Sequence, residues 1–134
     1  MTETELENLL AQWEGTYKKG LLSFWLLLLL SQRKAYPYEV KEAIVELSQH
    51  TISVDENSIY RALNRLSQSG IVGSELVPSE TGPSRRYFFL TDIGRKLLAR
   101  FIHRNIQVFQ HPSVASLVRS IMTDQGDPDE RKKD

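Results

Sequence analysis

Residues 53–70 of the chain read SVDENSIYRALNRLSQSG, and the architecture can be worked out from this stretch. Ser53 followed by Glu56 matches a capping box, which predicts that a helix begins here. Apolar side chains then recur at helical spacing and must pack inward; they are Ile59, Ala62, Leu63 and Leu66. Gly70 stands where a left-handed residue commonly ends a helix. The stretch therefore predicts an amphipathic helix with one buried face.

The opposite face of this predicted helix is polar and basic. Its side chains are Ser58, Tyr60, Arg61, Asn64, Arg65 and Gln68. Arg61 and Arg65 are four residues apart and are therefore neighbours on the helix surface, with Asn64 beside them. Arginine can form two hydrogen bonds to guanine, and asparagine can do the same to adenine, so these three side chains suit a major groove. The alternative, an ordinary solvated helix face, stays open on the pattern alone.

Two strand-like segments follow, at residues 71–77 and 85–90, and the linker between them is rich in turn-forming residues. They predict a β-hairpin with a long tip. Arg85 and Arg86 come directly after the tip, where they can contact phosphates or enter a minor groove. Alternatively, one of them only pairs with Glu75 or Glu80 across the hairpin, a type of surface pair that contributes little to stability.

Three helices are expected before residue 53. The first covers residues 3–14 and is ended or bent by Gly15, the second covers residues 18–32, and the third begins at Pro37. The apolar run at residues 21–30 is too short to span a membrane. We therefore expect it to form the central helix of a soluble core.

Helical periodicity resumes after the hairpin. Thr91 is expected to cap a long helix, which His111 and Pro112 interrupt before the period continues. From Asp124 onward the sequence is polar and is expected to be disordered.

This order of elements predicts a mainly α fold with a small β-hairpin (α+β), namely a winged helix-turn-helix with added terminal helices. The expected divisions of the chain are an N-terminal dimerisation helix at residues 1–16, a DNA-binding domain at 17–92, C-terminal dimerisation helices at 93–123 and a disordered tail at 124–134. The apolar stripe of the last helices is long for one small domain, which favours a homodimer. The expected interface residues are Leu6, Leu10, Trp13, Leu97, Phe101 and Val108.

Composition narrows the classes of function. The 134 residues carry 17 Lys+Arg and 17 Asp+Glu, but between residues 57 and 104 basic side chains outnumber acidic ones by eight to three. A locally basic segment in a neutral chain favours a surface that binds a polyanion. The absence of cysteine excludes a disulfide scaffold and suits a reducing cytoplasm, where we expect the protein to act.

Catalysis is not indicated. The three histidines, His50, His103 and His111, lack the spacing of metal ligands, and no glycine-rich phosphate loop or nucleophile elbow occurs. We therefore expect no enzyme activity, no metal and no cofactor.

Four segments together resemble the PadR-like transcriptional regulators. They are YPYEV at 36–40, SIYRALNRL at 58–66, SGIV at 69–72 and RYFFLTDIG at 86–94. The resemblance implies a winged-helix dimer that binds operator DNA, usually as a repressor. It places Tyr60 on the recognition helix and Arg86 in the wing, and residues 91–94 at the start of the dimerising helix. Pro37, the broken C-terminal helix and the added N-terminal helix depart from the family pattern. The layout is similar to that of PadR-like proteins that modify the cyanobacterial circadian clock.

Two other classes of function stay open. In the first, Trp13 and Trp25 line an aromatic pocket at a dimer interface, and a small molecule controls the regulator. In the second, the chain is a protein-interaction module without DNA binding. A DNA binder should depend on Arg61 and Arg65 and on salt concentration, whereas an interaction module should not.

Overall fold

The computed structural model describes residues 1–125 of the chain. The helices and strands are α1 (Glu3–Leu30), α2 (Pro37–Leu47), α3 (Glu56–Gln68), β1 (Val72–Val77), β2 (Arg85–Leu90), α4 (Asp92–Phe101) and α5 (Pro112–Gln125). The chain divides into two compact units, Met1–Leu98 and Ala99–Asp134. In the described residues, no helix is both long and apolar enough to cross a membrane.

Helix α1 is continuous over 28 residues, so the prediction of two helices separated at Gly15 is wrong. A glycine inside a helix costs only about 1 kcal/mol relative to alanine, which the surrounding good helix formers offset. Thr2 is the N-cap of α1: its hydroxyl accepts from the Glu5 N–H (3.1 Å), while the Glu5 carboxylate accepts from the Thr2 N–H (3.0 Å). Its C-terminal end is buried, as expected for the apolar run.

The core of the first unit lies where α1, α2, α3 and the hairpin meet. Its largest fully buried side chains are Leu26, Val40, Ile44, Ile59, Leu63, Val72 and Phe88. Helix α2 begins at Pro37 as predicted, and the Glu39 carboxylate accepts from the Tyr36 N–H at 3.2 Å. Two left-handed residues, Gln49 and His50, lie in the turn between α2 and α3. The apolar run predicted at residues 21–30 and the apolar face predicted for α3 therefore both contribute to this core.

Helix α3 carries the predicted buried residues, but the predicted cap is wrong. Asp55, not Ser53, is the N-cap, and its carboxylate accepts from the Ser58 N–H at 2.6 Å. Aspartate is as effective an N-cap as serine, and Asp55 stands closer to the apolar stripe. At the other end Gly70 has a φ of 78°, which confirms the predicted left-handed stop.

The Asp55 cap predicts a pH dependence of stability. The hydrogen bonds from the backbone and then the side chain of Ser58 lower the pKa of Asp55 below its ordinary value of 3.8. A lowered pKa in the folded state stabilises the protein above the unfolded-state pKa, and this contribution is lost as the pH falls through the folded-state value. Asp55→Ala should therefore be less stable than wild type at pH 7, and the difference should shrink below pH 3.8.

Thermal unfolding of both proteins across this pH range measures the difference. Glu56→Gln is the matched control, because it removes the neighbouring carboxylate without removing the cap bond. A gap between wild type and Asp55→Ala that stayed constant down to the acid limit would contradict the role of Asp55 as a charged cap.

The predicted hairpin is present as an antiparallel pair, in which Val72 lies opposite Leu90 and Val77 opposite Arg85. Phe88 exchanges two backbone hydrogen bonds with Ala35 (2.8 and 3.1 Å), which fastens β2 to the segment before α2. The side chain of Phe88 is only 1 % exposed. The hairpin is therefore anchored to the helical core through its second strand.

Thr91 caps α4, as predicted. Its hydroxyl accepts from the Gly94 N–H at 3.1 Å and lies 2.9 Å from the carbonyl oxygen of Ile71. A Cβ added to Gly94 would meet that same carbonyl, so the glycine permits a close approach of α4 to the start of the hairpin.

The second unit differs from the predicted long helix. After Phe101 the backbone forms a π-helical turn at Ile102–Ile106 and a 3₁₀ turn at Gln107–Gln110. The interruption at His111 and Pro112 is confirmed, and Pro112 is the first residue of α5. Asp124 and Gln125 are helical, so the predicted start of the disordered tail is wrong at these two positions. The rest of the predicted tail lies outside the described residues.

Candidate nucleic-acid interface

The polar face of α3 is exposed along its length. Tyr60, Arg61, Asn64 and Arg65 are exposed, whereas Ser58 is half-buried. Ser58 accepts a hydrogen bond from Arg61 Nη2 at 3.2 Å, which restrains that guanidinium. Within residues 1–125, neither Arg61 nor Arg65 forms an ion pair with a carboxylate. These side chains are therefore free to bind a polyanion.

Tyr60 connects this face to the hairpin. Its ring meets Phe88 edge-on, with 6.3 Å between the ring centroids, and the side chain is still 42 % exposed. One flank of α3 therefore faces β2, while Asn64 points away from the core on the exposed face.

The two arginines after the hairpin tip are held by neutral partners. Arg85 Nη1 donates to the Tyr36 hydroxyl at 3.0 Å, and its guanidinium lies 4.6 Å from the centroid of the Tyr36 ring. Arg86 Nη1 donates to Ser74 Oγ at 2.9 Å. Both residues are exposed, so each keeps further N–H donors for a ligand.

The alternative pairing of these arginines with Glu75 or Glu80 is not present in the described part of the chain. Glu75 instead accepts from Lys34 Nζ at 2.7 Å. This hydrogen bond and the charge of Glu75 raise the pKa of Lys34. The pair joins β1 to the segment before α2, and it leaves the arginine charges uncompensated.

Two lysines that the sequence analysis did not assign lie beside α3. Lys18 and Lys19 of α1, together with Ser58, Arg61 and Arg65, line a groove of about 670 Å³. Lys18 also pairs with Glu14 at 3.0 Å. About forty residues separate the lysines from the arginines, and only the packing of α1 against α3 brings them together. No local sequence signal predicts this proximity.

The residues predicted for a dimer interface are accessible, with one exception. Leu6, Leu10, Leu97 and Val108 are exposed, and Trp13 is 75 % exposed, whereas Phe101 is half-buried. On α1 they continue into a stripe with Leu9 and Tyr17. Such a contiguous apolar stripe is typical of an interaction surface.

Trp13 and Trp25 do not share a pocket within one chain. They lie on the same helix, twelve residues and therefore about 18 Å apart. An aromatic pocket formed by both would need a second copy of the chain. In the part of the chain that the structure describes, no group of three potential ligands could hold a metal ion.

Comparison with known proteins agrees with this geometry. The sequence profile of the Transcriptional regulator PadR-like family matches residues 26–100. The chain belongs to the PadR-like family. The matched region runs from the buried end of α1 through the hairpin into α4, and it leaves the exposed N-terminal half of α1 outside.

Solved structures show the same fold. A PadR-like transcriptional regulator from Bacillus cereus is 29 % identical, with a TM-score of 0.59, and the alignment covers 81 % of this chain and 96 % of that one. A transcriptional regulator from Clostridium thermocellum is 23 % identical, with a TM-score of 0.62 and coverage of 71 % and 92 %. Bacillus subtilis PadR in complex with operator DNA is 22 % identical, with a TM-score of 0.59 and coverage of 63 % and 48 %.

The PadR-like winged-helix fold predicted from the sequence is therefore confirmed. The expectation of a non-enzyme is consistent with a family of transcriptional regulators. The closer resemblance to clock-modifying members is not supported by these comparisons.

Proposed function

We propose that this PadR-like protein is a sequence-specific DNA-binding regulator that acts on operator DNA as a homodimer. The observation that carries the proposal is the exposed polar face of α3. Within residues 1–125, Arg61 of this face forms no ion pair with a carboxylate, and neither do Arg85 and Arg86 of the wing. The relative from Bacillus subtilis, which is described in complex with operator DNA, supports the same class of partner.

In this proposal α3 enters the major groove. Arg61 and Asn64 hydrogen-bond to base edges, and Ser58, Tyr60 and Arg65 complete the contact surface. Arg85 and Arg86 lie at the root of the hairpin tip and bind phosphates, with one guanidinium free to enter a narrowed minor groove. A dimer places two such heads about 34 Å apart on one face of the duplex.

Three finer parts of the proposal go beyond the comparisons. Action as a repressor and a circadian clock gene as the target rest on resemblance alone, and a cytoplasmic location rests on the absence of cysteine. A dimer that covers promoter DNA would act as a repressor by excluding the polymerase.

Selection from a random pool of duplexes with the full-length protein tests the proposal. We expect an enriched, two-fold symmetric sequence whose affinity falls steeply with salt. The protein-interaction alternative gives no enriched sequence and a weak salt dependence. That result would reject the DNA-binding function.

Replacing both wing arginines, Arg85→Gln and Arg86→Gln, should weaken specific and non-specific binding together. Each lost phosphate contact lowers the slope of log affinity against log salt by about one unit, so we expect a reduction of about one to two units. Fluorescence anisotropy across a salt series measures it.

The control for this experiment is the double variant Tyr36→Phe and Ser74→Ala. It removes the hydrogen bonds of both arginines but keeps their charges, so its salt slope should match wild type. If the arginine variant is folded and also keeps the wild-type slope, the wing does not contact DNA.

The proposed dimer predicts a concentration-dependent mass. A dimer with a dissociation constant of about 1 µM or lower is largely formed at about 10 µM protein. Sedimentation equilibrium at this concentration should therefore give twice the chain mass.

The double variant Leu10→Glu and Trp13→Glu should shift the protein to monomer, because it places charges on the exposed stripe of α1. Asn8→Glu with Gln12→Glu adds the same charge elsewhere on α1 and should leave the dimer intact. A monomeric wild type would reject the dimer.

A further inference from the structure

We propose that Lys18 and Lys19 of α1, together with Arg65, bind DNA phosphates on the flank of α3 that is opposite the wing. This inference rests on the proposed DNA-binding function. It adds a second phosphate-binding surface, which neither the sequence motifs nor the family match includes, since the match begins at residue 26.

The two flanks of α3 have different neighbours. On one flank Tyr60 contacts Phe88 of the wing strand. On the other, Ser58 and Arg65 line the groove shared with α1. Successive helical residues are rotated by about 100°, which places Tyr60 and Arg65 about 140° apart around the axis, with Asn64 between them. The wing and the lysines therefore stand on opposite sides of the face that is proposed to read bases.

The width of the major groove determines where phosphates lie beside an inserted helix. The major groove is about 12 Å wide, and an α-helix with its side chains is about 10–12 Å in diameter. A helix inserted in this groove consequently has a phosphate strand along each flank. The wing arginines meet the phosphates on one side, and the groove lined by Lys18 and Lys19 opens beside the other.

The groove between α1 and α3 is positively charged. Among residues 1–125, the charged side chains that line the groove are all basic, namely Lys18, Lys19, Arg61 and Arg65. Lys19 has no carboxylate partner within residues 1–125, and the Lys18–Glu14 pair is a partly exposed pair between successive turns of one helix. Such pairs contribute little to stability, so a phosphate can replace the Glu14 carboxylate.

A small organic anion is the rival occupant, since the groove volume of about 670 Å³ lies in the range of ligand pockets. The position of the groove argues against it. The groove opens beside the face of α3 that is proposed to read bases, where a phosphate strand of the duplex would lie. We therefore assign it to a phosphodiester backbone.

The double variant Lys18→Gln and Lys19→Gln of the full-length protein tests the inference. Each phosphate contact contributes about eightfold in affinity between 1 M and 0.1 M salt. We expect the variant to lose about 8- to 60-fold in affinity for any duplex at 0.1 M salt, and the salt slope to fall by about one to two units. The preferred base sequence should stay that of wild type, because phosphate contacts do not read bases.

The matched control is Arg95→Gln with Lys96→Gln, which removes two adjacent, exposed charges from α4. The salt slope of this control should be closer to that of wild type than the slope of the lysine variant is. Thermal unfolding must show that both variants are folded. A lysine variant with the wild-type slope overturns the inference, as does one that alters base preference. If the wild type itself binds no duplex, the proposed function fails before this variant is compared.

Discussion

Replacing Gly94 by alanine is expected to lower the free energy of unfolding by about 2–3 kcal/mol. The new Cβ would meet the backbone carbonyl of Ile71 and would lie 2.8 Å from Leu90 Cδ1. The carbonyl cannot easily move, because it accepts from the Thr91 N–H at 3.2 Å and lies within reach of the Thr91 hydroxyl. The substitution therefore has to displace α4 or break its cap.

Urea unfolding of Gly94→Ala and Gly15→Ala separates this contact from helix propensity. Gly15 lies inside α1, and a methyl group added there would meet no atom within 4 Å other than those of its chain neighbours and of the nearby helix backbone, so alanine should stabilise by about 0.5–1 kcal/mol. Opposite signs for the two substitutions are expected. Equal stability of Gly94→Ala and wild type would mean that α4 does not approach the hairpin as closely as the structure shows.

The second large effect is expected at the reading face of α3. Arg61→Ala and Asn64→Ala should each weaken binding to the selected duplex by about 1–3 kcal/mol, because each removes a base-edge contact. Because Arg61 and Asn64 are neighbours on one helix face, the double variant also measures the coupling between their two contacts. Each variant should bind duplexes that differ at the contacted base pair with similar affinity.

Anisotropy titrations with the selected duplex and with its single-base variants measure both quantities. Arg95→Ala is the control, because it removes an exposed arginine of α4 without touching α3. If each α3 variant kept the wild-type base preference, the reading face would have to be sought elsewhere on the molecule.

Local patterns predicted most of the fold. The apolar spacing of α3, the turn-rich linker of the hairpin and the Thr91 cap each act within a few residues, so the sequence alone reveals them. The errors are also local in origin. Gly15 weakens a helix without ending it, and two acceptable caps, Ser53 and Asp55, stood within one turn of each other.

The candidate site divides in the same way. The polar residues of α3 and the wing arginines could be assigned from spacing and residue type, and they remain predictions to be tested by DNA binding. The partners of the wing arginines could not, because Tyr36 approaches Arg85 only when β2 pairs with the segment at Ala35. Glu75 does not pair with Arg85 or Arg86 because it forms an ion pair with Lys34, which lies 41 residues earlier in the sequence.

The order of residues was thus sufficient to predict α2, α3, the hairpin and the start of α4, as well as the buried face and the chemical character of α3. The packed fold was needed to show that Lys18 and Lys19 line one groove with Arg65, and that Gly94 lies against the carbonyl of Ile71. Helix and strand periodicity can be predicted because it is set by neighbours within a turn or a pleat. Contacts between distant segments depend instead on how whole apolar faces pack, which no short stretch of residues specifies.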